Sequence, residues 1–271
     1  MKEDVFFDTI RRTLFDGSLT QPQVDGIKGL LKGFDLVGDK DQDTLAYGLA
    51  TAFHETGRRM VPVREGFAKT DAGARAAVAK LAKKRGPKSA VARYAQPVGP
   101  YGHVYYGRGH VQLTWMNGYR DSSADAGTDL VANPDAMLDP VISARVLFRG
   151  LMDGRWNGQG KGVGAYEGAD DHLSDAEAAE ARRTVNGKDK ALEIARYHRR
   201  FYDALDLAGW KPSAPKSVIQ QPAPAEPVQP RTDQDPIKKP GVALVGAGLT
   251  AVVVAFWEKI EAAGAWLFNL F

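Results

Sequence analysis

Cysteine is absent from the 271 residues, so neither a disulfide framework nor a thiolate-ligated zinc site can hold this chain together, and its stability has to come from packing. Net charge is scarce too: 36 Lys and Arg against 33 Asp and Glu leave +3, too little by itself to point to nucleic acid. The opening Met1-Lys2-Glu3-Asp4, followed by a helix pattern from Phe6 to Leu14, lacks the apolar core and small-residue cleavage site of a secretory signal. Synthesis in a cytoplasm without a cleavable signal is the expectation. The glycine-rich run Gly158 to Gly164 has no Lys-Ser or Lys-Thr after it and is no phosphate loop. His103, His172 and His198 have no ligand spacing and are expected at the surface or in hydrogen bonds, so no metal or cofactor is expected.

What is present is enough apolar residue, 44%, for a real core. Apolar spacing predicts helices over Val5–Phe15 and Val24–Phe34, then one opened by Asp41 or Asp43 and running to about Thr56. An Ala- and Lys-rich helix is expected from Thr70 to Lys84, ending at Gly86-Pro87. Residues 94 to 110 are an ordered loop or short strand pair. Pro140 opens a helix to Leu151, and the six glycines from Gly154 to Gly168 make a loop. Ser174 with Glu177 is a capping box, Thr184-Val185-Asn186-Gly187 a turn, and Lys190–Leu207 the last helix, with Leu192, Ala195, Phe201 and Leu205 near one face. Eight Lys or Arg against the single acid Asp71 make residues 69–93 a segment that should seek anionic surfaces.

Three parts follow. Residues 1–210 are the folded domain. Residues 211–240, with eight of the fifteen prolines, are an extended linker. Residues 241–271 are a hydrophobic transmembrane or membrane-active tail, because Gly241 to Trp257 is uncharged for seventeen residues, at the lower limit of what spans a bilayer. Lys238-Lys239 against Lys259 favours leaving the large domain on the cytoplasmic side of an inner membrane.

The chemistry centres on His54-Glu55-Thr56. Leu45, Leu49, Ala52 and Phe53 precede Glu55 at helical spacing, and Gly57 and Pro62 break the pattern behind it, so Glu55 ends a helix. Glu65 follows after a loop long enough to turn back, and two carboxylates so placed suit acid and base work on a glycosidic bond. A zinc-protease helix would need a second His one turn on, where Arg58 stands.

Together with Tyr105-Tyr106-Gly107-Arg108-Gly109-His110-Val111-Gln112-Leu113-Thr114-Trp115, Asn133-Pro134-Asp135 and Val185-Asn186-Gly187, the His-Glu-Thr motif resembles the ordered hallmarks of family 19 glycoside hydrolases: chitinases and the related phage and bacterial peptidoglycan hydrolases. The resemblance spans residues 20 to 207. It implies a mainly α, lysozyme-like domain with a central cleft and at most a small β element. It implies Glu55 as general acid and, by likeness of Pro62-Val63-Arg64-Glu65 to the phage branch, Glu65 as general base. His54, Tyr106, Arg108, Gln112, Thr114 and Asn186 are the candidate substrate-side residues, although Arg108 suits tying its loop together better than touching sugar and one of Tyr105 and Tyr106 should be packed. The chain departs from the pattern at Gly118, where Asn is usual, and at Lys188 to Lys190, where chitinases place a carboxylate. The resulting expectation is an endolysin-type, monomeric enzyme cleaving β-1,4 bonds of peptidoglycan glycan strands by inversion. The alternatives are a chitinase, a wall-binding module with a degenerate cleft, and a membrane-disrupting protein.

Overall fold

The computed structural model describes residues 1–170 and 172–212; the membrane tail expected at 241–271, and all but the first two residues of the linker, lie outside them. Among the described residues no helix is long and apolar enough to cross a membrane. The architecture is helical with one minimal strand pair, as the sequence implies.

Helix α1 (Glu3–Thr13) buries Phe6, Phe7 and Ile10, and α2 (Gln21–Val37) starts where the Thr20 N–H donates to Gln23 Oε1 at 2.9 Å. Helix α3 (Gln42–Glu55) is capped by Asp41, which accepts from the Thr44 N–H at 2.8 Å. Every residue from Asp43 to Phe53 is buried, the mark of a central helix covered on all sides. Small residues permit this. At Gly48 an added Cβ would stand 2.1 Å from the Phe148 ring, so only glycine lets α7 (Pro140–Asp153) approach α3 this closely. Helix α10 (Ala191–Leu207) lies along α3 and also meets α1 and α8 (Asp175–Glu180).

Asp43 anchors this packing. It is 2.9 Å from both His172 Nδ1 and His198 Nε2, and although burial pushes its carboxyl up, the two histidines outweigh that and hold it below its ordinary value. Leu192 departs from expectation. It is 68% exposed, because the buried stripe of α10 runs through Ile194, Ala195, His198, Phe201 and Leu205, and two residues before Ile194 is roughly 200° round the helix.

A smaller cluster of Ala74, Val78, Val91, Val104 and Tyr106 forms a second lobe from α4 (Asp71–Arg85), α5 (Ala90–Tyr94) and the chain around 104–106. Strand β1 (Val63–Arg64) pairs antiparallel with β2 (Arg108–Gly109), Val63 opposite Gly109 and Arg64 opposite Arg108. Helix α6 (Met116–Ala126) arises where no helix was expected, because the polar residues from Asn117 onward supply its outer face while Tyr119, Ser122 and Ala126 face inward. The Asn186 turn is the last residue of a single helical turn, α9 (Arg183–Asn186), and the glycine-rich loop carries a 3-10 turn at Val163–Tyr166.

Candidate active site

Glu55 is the last residue of α3 and Glu65 follows β1 directly, so the two carboxylates stand at the ends of one turn that joins the large lobe to the small one. That turn is over-determined. Thr56 Oγ1 donates to Ala52 O at 2.6 Å and accepts from the Met60 N–H at 2.9 Å. Arg58 and Met60 both have positive φ, a conformation that non-glycine residues adopt only when their surroundings enforce it. Here the surroundings do: Arg58 Nη2 donates to Leu14 O and Asp16, Gln23 Nε2 donates to Arg58 O at 2.9 Å, and His110 Nε2 lies 3.3 Å from Met60 O. An added Cβ at Gly26 would stand 2.2 Å from that same Met60 carbonyl, so α2 presses directly on the turn.

Glu55 is held by Arg182, whose Nη2 donates to Oε1 at 2.8 Å while its Nε donates to Asp189 O at 3.1 Å. Arg182 is 1% exposed and Glu55 16%, so the pair is largely shielded while the carboxylate still reaches solvent. Glu55 Oε1 thus lies against a buried guanidinium. His54 is half-buried, and burial holds its imidazole below the ordinary value against the pull of Glu55.

Glu65 has the opposite surroundings. Its Oε1 accepts from Tyr94 OH at 2.7 Å and its Oε2 from the Gly107 N–H at 2.8 Å. Burial raises this carboxyl above its ordinary range even though both donors, with Arg85 and Arg108 nearby, pull it back. The hydrogen-bond pattern is that of an ionised carboxylate, an acceptor at both oxygens, and desolvation strengthens it as a base.

The hallmark loop is built under Glu65. Glu65 N donates to Gly107 O at 2.7 Å, Leu113 and Arg108 exchange backbone bonds, and Trp115 N donates to Tyr105 O. Gln112 Nε2 donates to Val63 O at 3.1 Å and Gly109 O at 3.2 Å, so its amide braces β1 to β2 instead of offering both hydrogens to a ligand. Thr114 donates its hydroxyl hydrogen to Gln112 O at 2.8 Å and keeps lone pairs free to accept.

Two of the candidate substrate-side residues are buried, Arg108 in the loop-tying role weighed for it and Tyr106 as a packed tyrosine. Tyr106 is fully buried and its OH donates to Asp71 at 2.8 Å. Arg108 is 1% exposed, lies 3.6 Å over the Tyr106 ring, and bonds Asp135, Asp71 and Tyr119 OH. Charge pairs this buried set loop geometry. Asp135 in turn receives Arg64 at 2.6 Å, which explains what the Asn133-Pro134-Asp135 segment does. Asn186 is exposed, four residues from Arg182, with Asn186 N donating to Arg182 O at 2.9 Å.

Three site residues escape a linear reading: Arg182, Tyr94 and the 39% exposed Trp115, whose ring meets Tyr94 edge-on at 5.4 Å beside Thr114. Nothing in local spacing marks the first two, since each reaches its carboxylate from a distant element. Two surface depressions, one lined by Val37, Asp125, Arg145 and Arg149 and one by Lys161, Tyr166, Glu177 and Glu180, contain neither carboxylate.

Residues 28–157 match the family model described as class I chitinase, that of glycoside hydrolase family 19. No curated protein matches the chain. Among solved structures, chitinase C from Streptomyces griseus is 20% identical, with 79% of this chain and 78% of that chain covered at a TM-score of 0.41. A glutamate-to-glutamine mutant of chitinase C gives 20%, 79%, 78% and 0.40. The matched residues include Glu55, Glu65 and the hallmark loop, and over this stretch the chain is similar to the glycoside hydrolases of family 19.

Proposed function

We propose that this glycoside hydrolase is an endolysin-type enzyme that cleaves β-1,4 bonds in the glycan strands of bacterial peptidoglycan by inversion. The observation that carries it is the pair of dissimilar carboxylates at the two ends of one braced turn. Glu65, with both oxygens accepting and its proton affinity raised by burial, takes the proton of the attacking water. Thr114 accepts a hydrogen from that water and so aims its lone pair at the anomeric carbon. Glu55, in its protonated form and oriented by Arg182, delivers that proton to the leaving oxygen and ends as the carboxylate that the guanidinium stabilises. Inversion follows from water attacking opposite the leaving group, with the two carboxyls on opposite faces of the sugar. Asn186 and Trp115, both exposed, are available to meet sugar hydroxyls and a ring face.

Peptidoglycan is favoured over chitin by the absence of cysteine, the short turn between the carboxylates, and the uncharged stretch Gly241 to Trp257, which would bring the domain to the inner membrane. Chitin is the second reading, favoured by the description of the matching family. Digestion of purified peptidoglycan and of chitin oligomers by the full chain and by Glu55→Gln decides between them. The expectation is release of glycan fragments from peptidoglycan with Glu55→Gln at least ~100-fold slower, general acid catalysis being worth about 10²–10⁴. Mass spectrometry of the new reducing ends identifies the bond. Cleavage of chitin alone, or unimpaired peptidoglycan digestion by Glu55→Gln, would refute the proposal.

A further inference from the structure

Phe67 is a costly residue where it stands. It follows Glu65 by two positions, is 39% exposed, and belongs to neither of the two buried clusters. Its φ of 55°, directly after Gly66 at 68°, lies in the left-handed region that non-glycine residues adopt only when their surroundings enforce it. What the exposed ring carries is Arg59, whose guanidinium carbon lies 3.8 Å from the ring centroid. Gly57 makes room for both. A Cβ there would stand 2.7 Å from the Phe67 ring and 2.9 Å from Arg59 Nη1, and its own φ is 55°.

The guanidinium is thereby pinned between the two carboxylate-bearing segments. Its Nη1 donates to Thr56 O and Gly57 O, both at 3.4 Å, which are the carbonyls just after Glu55, while the ring it lies on comes just after Glu65. Among the described residues these contacts leave Nε and Nη2 without a hydrogen bond, on a side chain that is exposed. The arginines around it differ. Arg58 bonds Asp16, Arg64 and Arg108 bond Asp135, and Arg182 bonds Glu55, whereas Arg59 pairs with no carboxylate among the described residues. A planar guanidinium fixed through one nitrogen presents its Nε–Nη2 edge as a rigid fork, the geometry that takes a carboxylate by two parallel hydrogen bonds.

We propose that Arg59, seated on Phe67, is a specificity-determining residue that binds a carboxylate carried by the substrate strand, selecting a glycan with acidic substituents over an uncharged one such as chitin. This rests on the peptidoglycan reading above and deepens it: glycosidic cleavage occurs at Glu55 and Glu65, and the fork on the turn that joins them engages the acidic peptides attached to the sugars.

The test uses the full chain with Arg59→Gln and, separately, Arg59→Lys, both at an exposed position, with thermal melts verifying the fold. On peptidoglycan Arg59→Gln should raise KM about tenfold and lower kcat far less, the order expected from losing a hydrogen-bonded contact between charged groups. Arg59→Lys keeps the charge and loses the fork, so it should raise KM as well. Amidating the carboxyls of the peptidoglycan should raise KM for the wild type and bring the three proteins together. An unchanged KM in either variant, a fall in kcat with KM unmoved, or a KM difference that persists on amidated peptidoglycan overturns the proposal. Cosedimentation of the Glu55→Gln protein with peptidoglycan, with and without Arg59→Gln, separates recognition from turnover. Binding that needs both Arg59 and free carboxyls, beside a wild type that digests no peptidoglycan, would support the fork and sink the hydrolase reading; equal sedimentation would overturn the fork alone.

Discussion

Replacing Tyr94 by Phe removes one hydroxyl and leaves the ring where it packs against Trp115. That hydroxyl donates to Glu65 Oε1 at 2.7 Å, and the Gly107 N–H on Oε2 remains. The bond favours the ionised carboxylate, so its loss makes Glu65 bind its proton more tightly, adding to what burial already does. A hydrogen bond to a charged group contributes about 1.5–3 kcal/mol, and at the lower end of that range about 1.4 kcal/mol corresponds to tenfold. A base must be ionised to act. The acid limb of kcat/KM against pH should therefore move to higher pH, with activity about tenfold below wild type well under that limb and converging with it on the plateau. Peptidoglycan digestion across the pH range, with thermal melts to verify that the fold is kept, measures this. An unmoved acid limb, or a uniform loss at every pH, would refute the assignment of Glu65 as base; movement of the alkaline limb instead would mark it as the proton donor.

Arg182→Met should lower kcat more than it raises KM, since Glu55 loses its orienting partner while the rim residues stay, and removing a buried charge partner should destabilise the fold by about 2–4 kcal/mol in urea titrations. Gly26→Ala should displace the Met60 carbonyl, destabilise by about 1–3 kcal/mol and depress kcat with it, because the turn between the carboxylates shifts; unaltered kinetics would show the turn is insensitive to α2. Burial pushes His110 down to about 4, below its unfolded value, so the stability it confers is present above pH ~6.5 and lost as pH falls toward ~4. Calorimetry should find Tm falling across that window, and His110→Gln should flatten the fall.

Much of the helical frame was legible because its signals are local. Asp41 before α3, Thr70 before α4, Pro140 at the start of α7, and Ser174 with Glu177 at α8 each act on backbone groups within a few residues, and each helix begins where its signal stands. Leu192 and α6 were misjudged for the same reason: periodicity shows that a face exists, and the neighbours decide which face is inward. Linear order of motifs was likewise enough to place Glu55 and Glu65 at the two ends of one turn and to name the family.

What the sequence could not decide was who touches whom. Arg182 lies 127 positions after Glu55 and Tyr94 lies 29 after Glu65, and only folding brings each to its carboxylate. Tertiary packing also turned Tyr106 and Arg108 inward onto Asp71 and Asp135 and spent the Gln112 amide on the strand pair, although their motif suggested a face toward substrate. Residue types fix the chemistry available to this chain. The electrostatic character of each carboxylate, one beside a buried guanidinium and the other desolvated between two neutral donors, is a property of distances and burial, which exist only in the folded molecule.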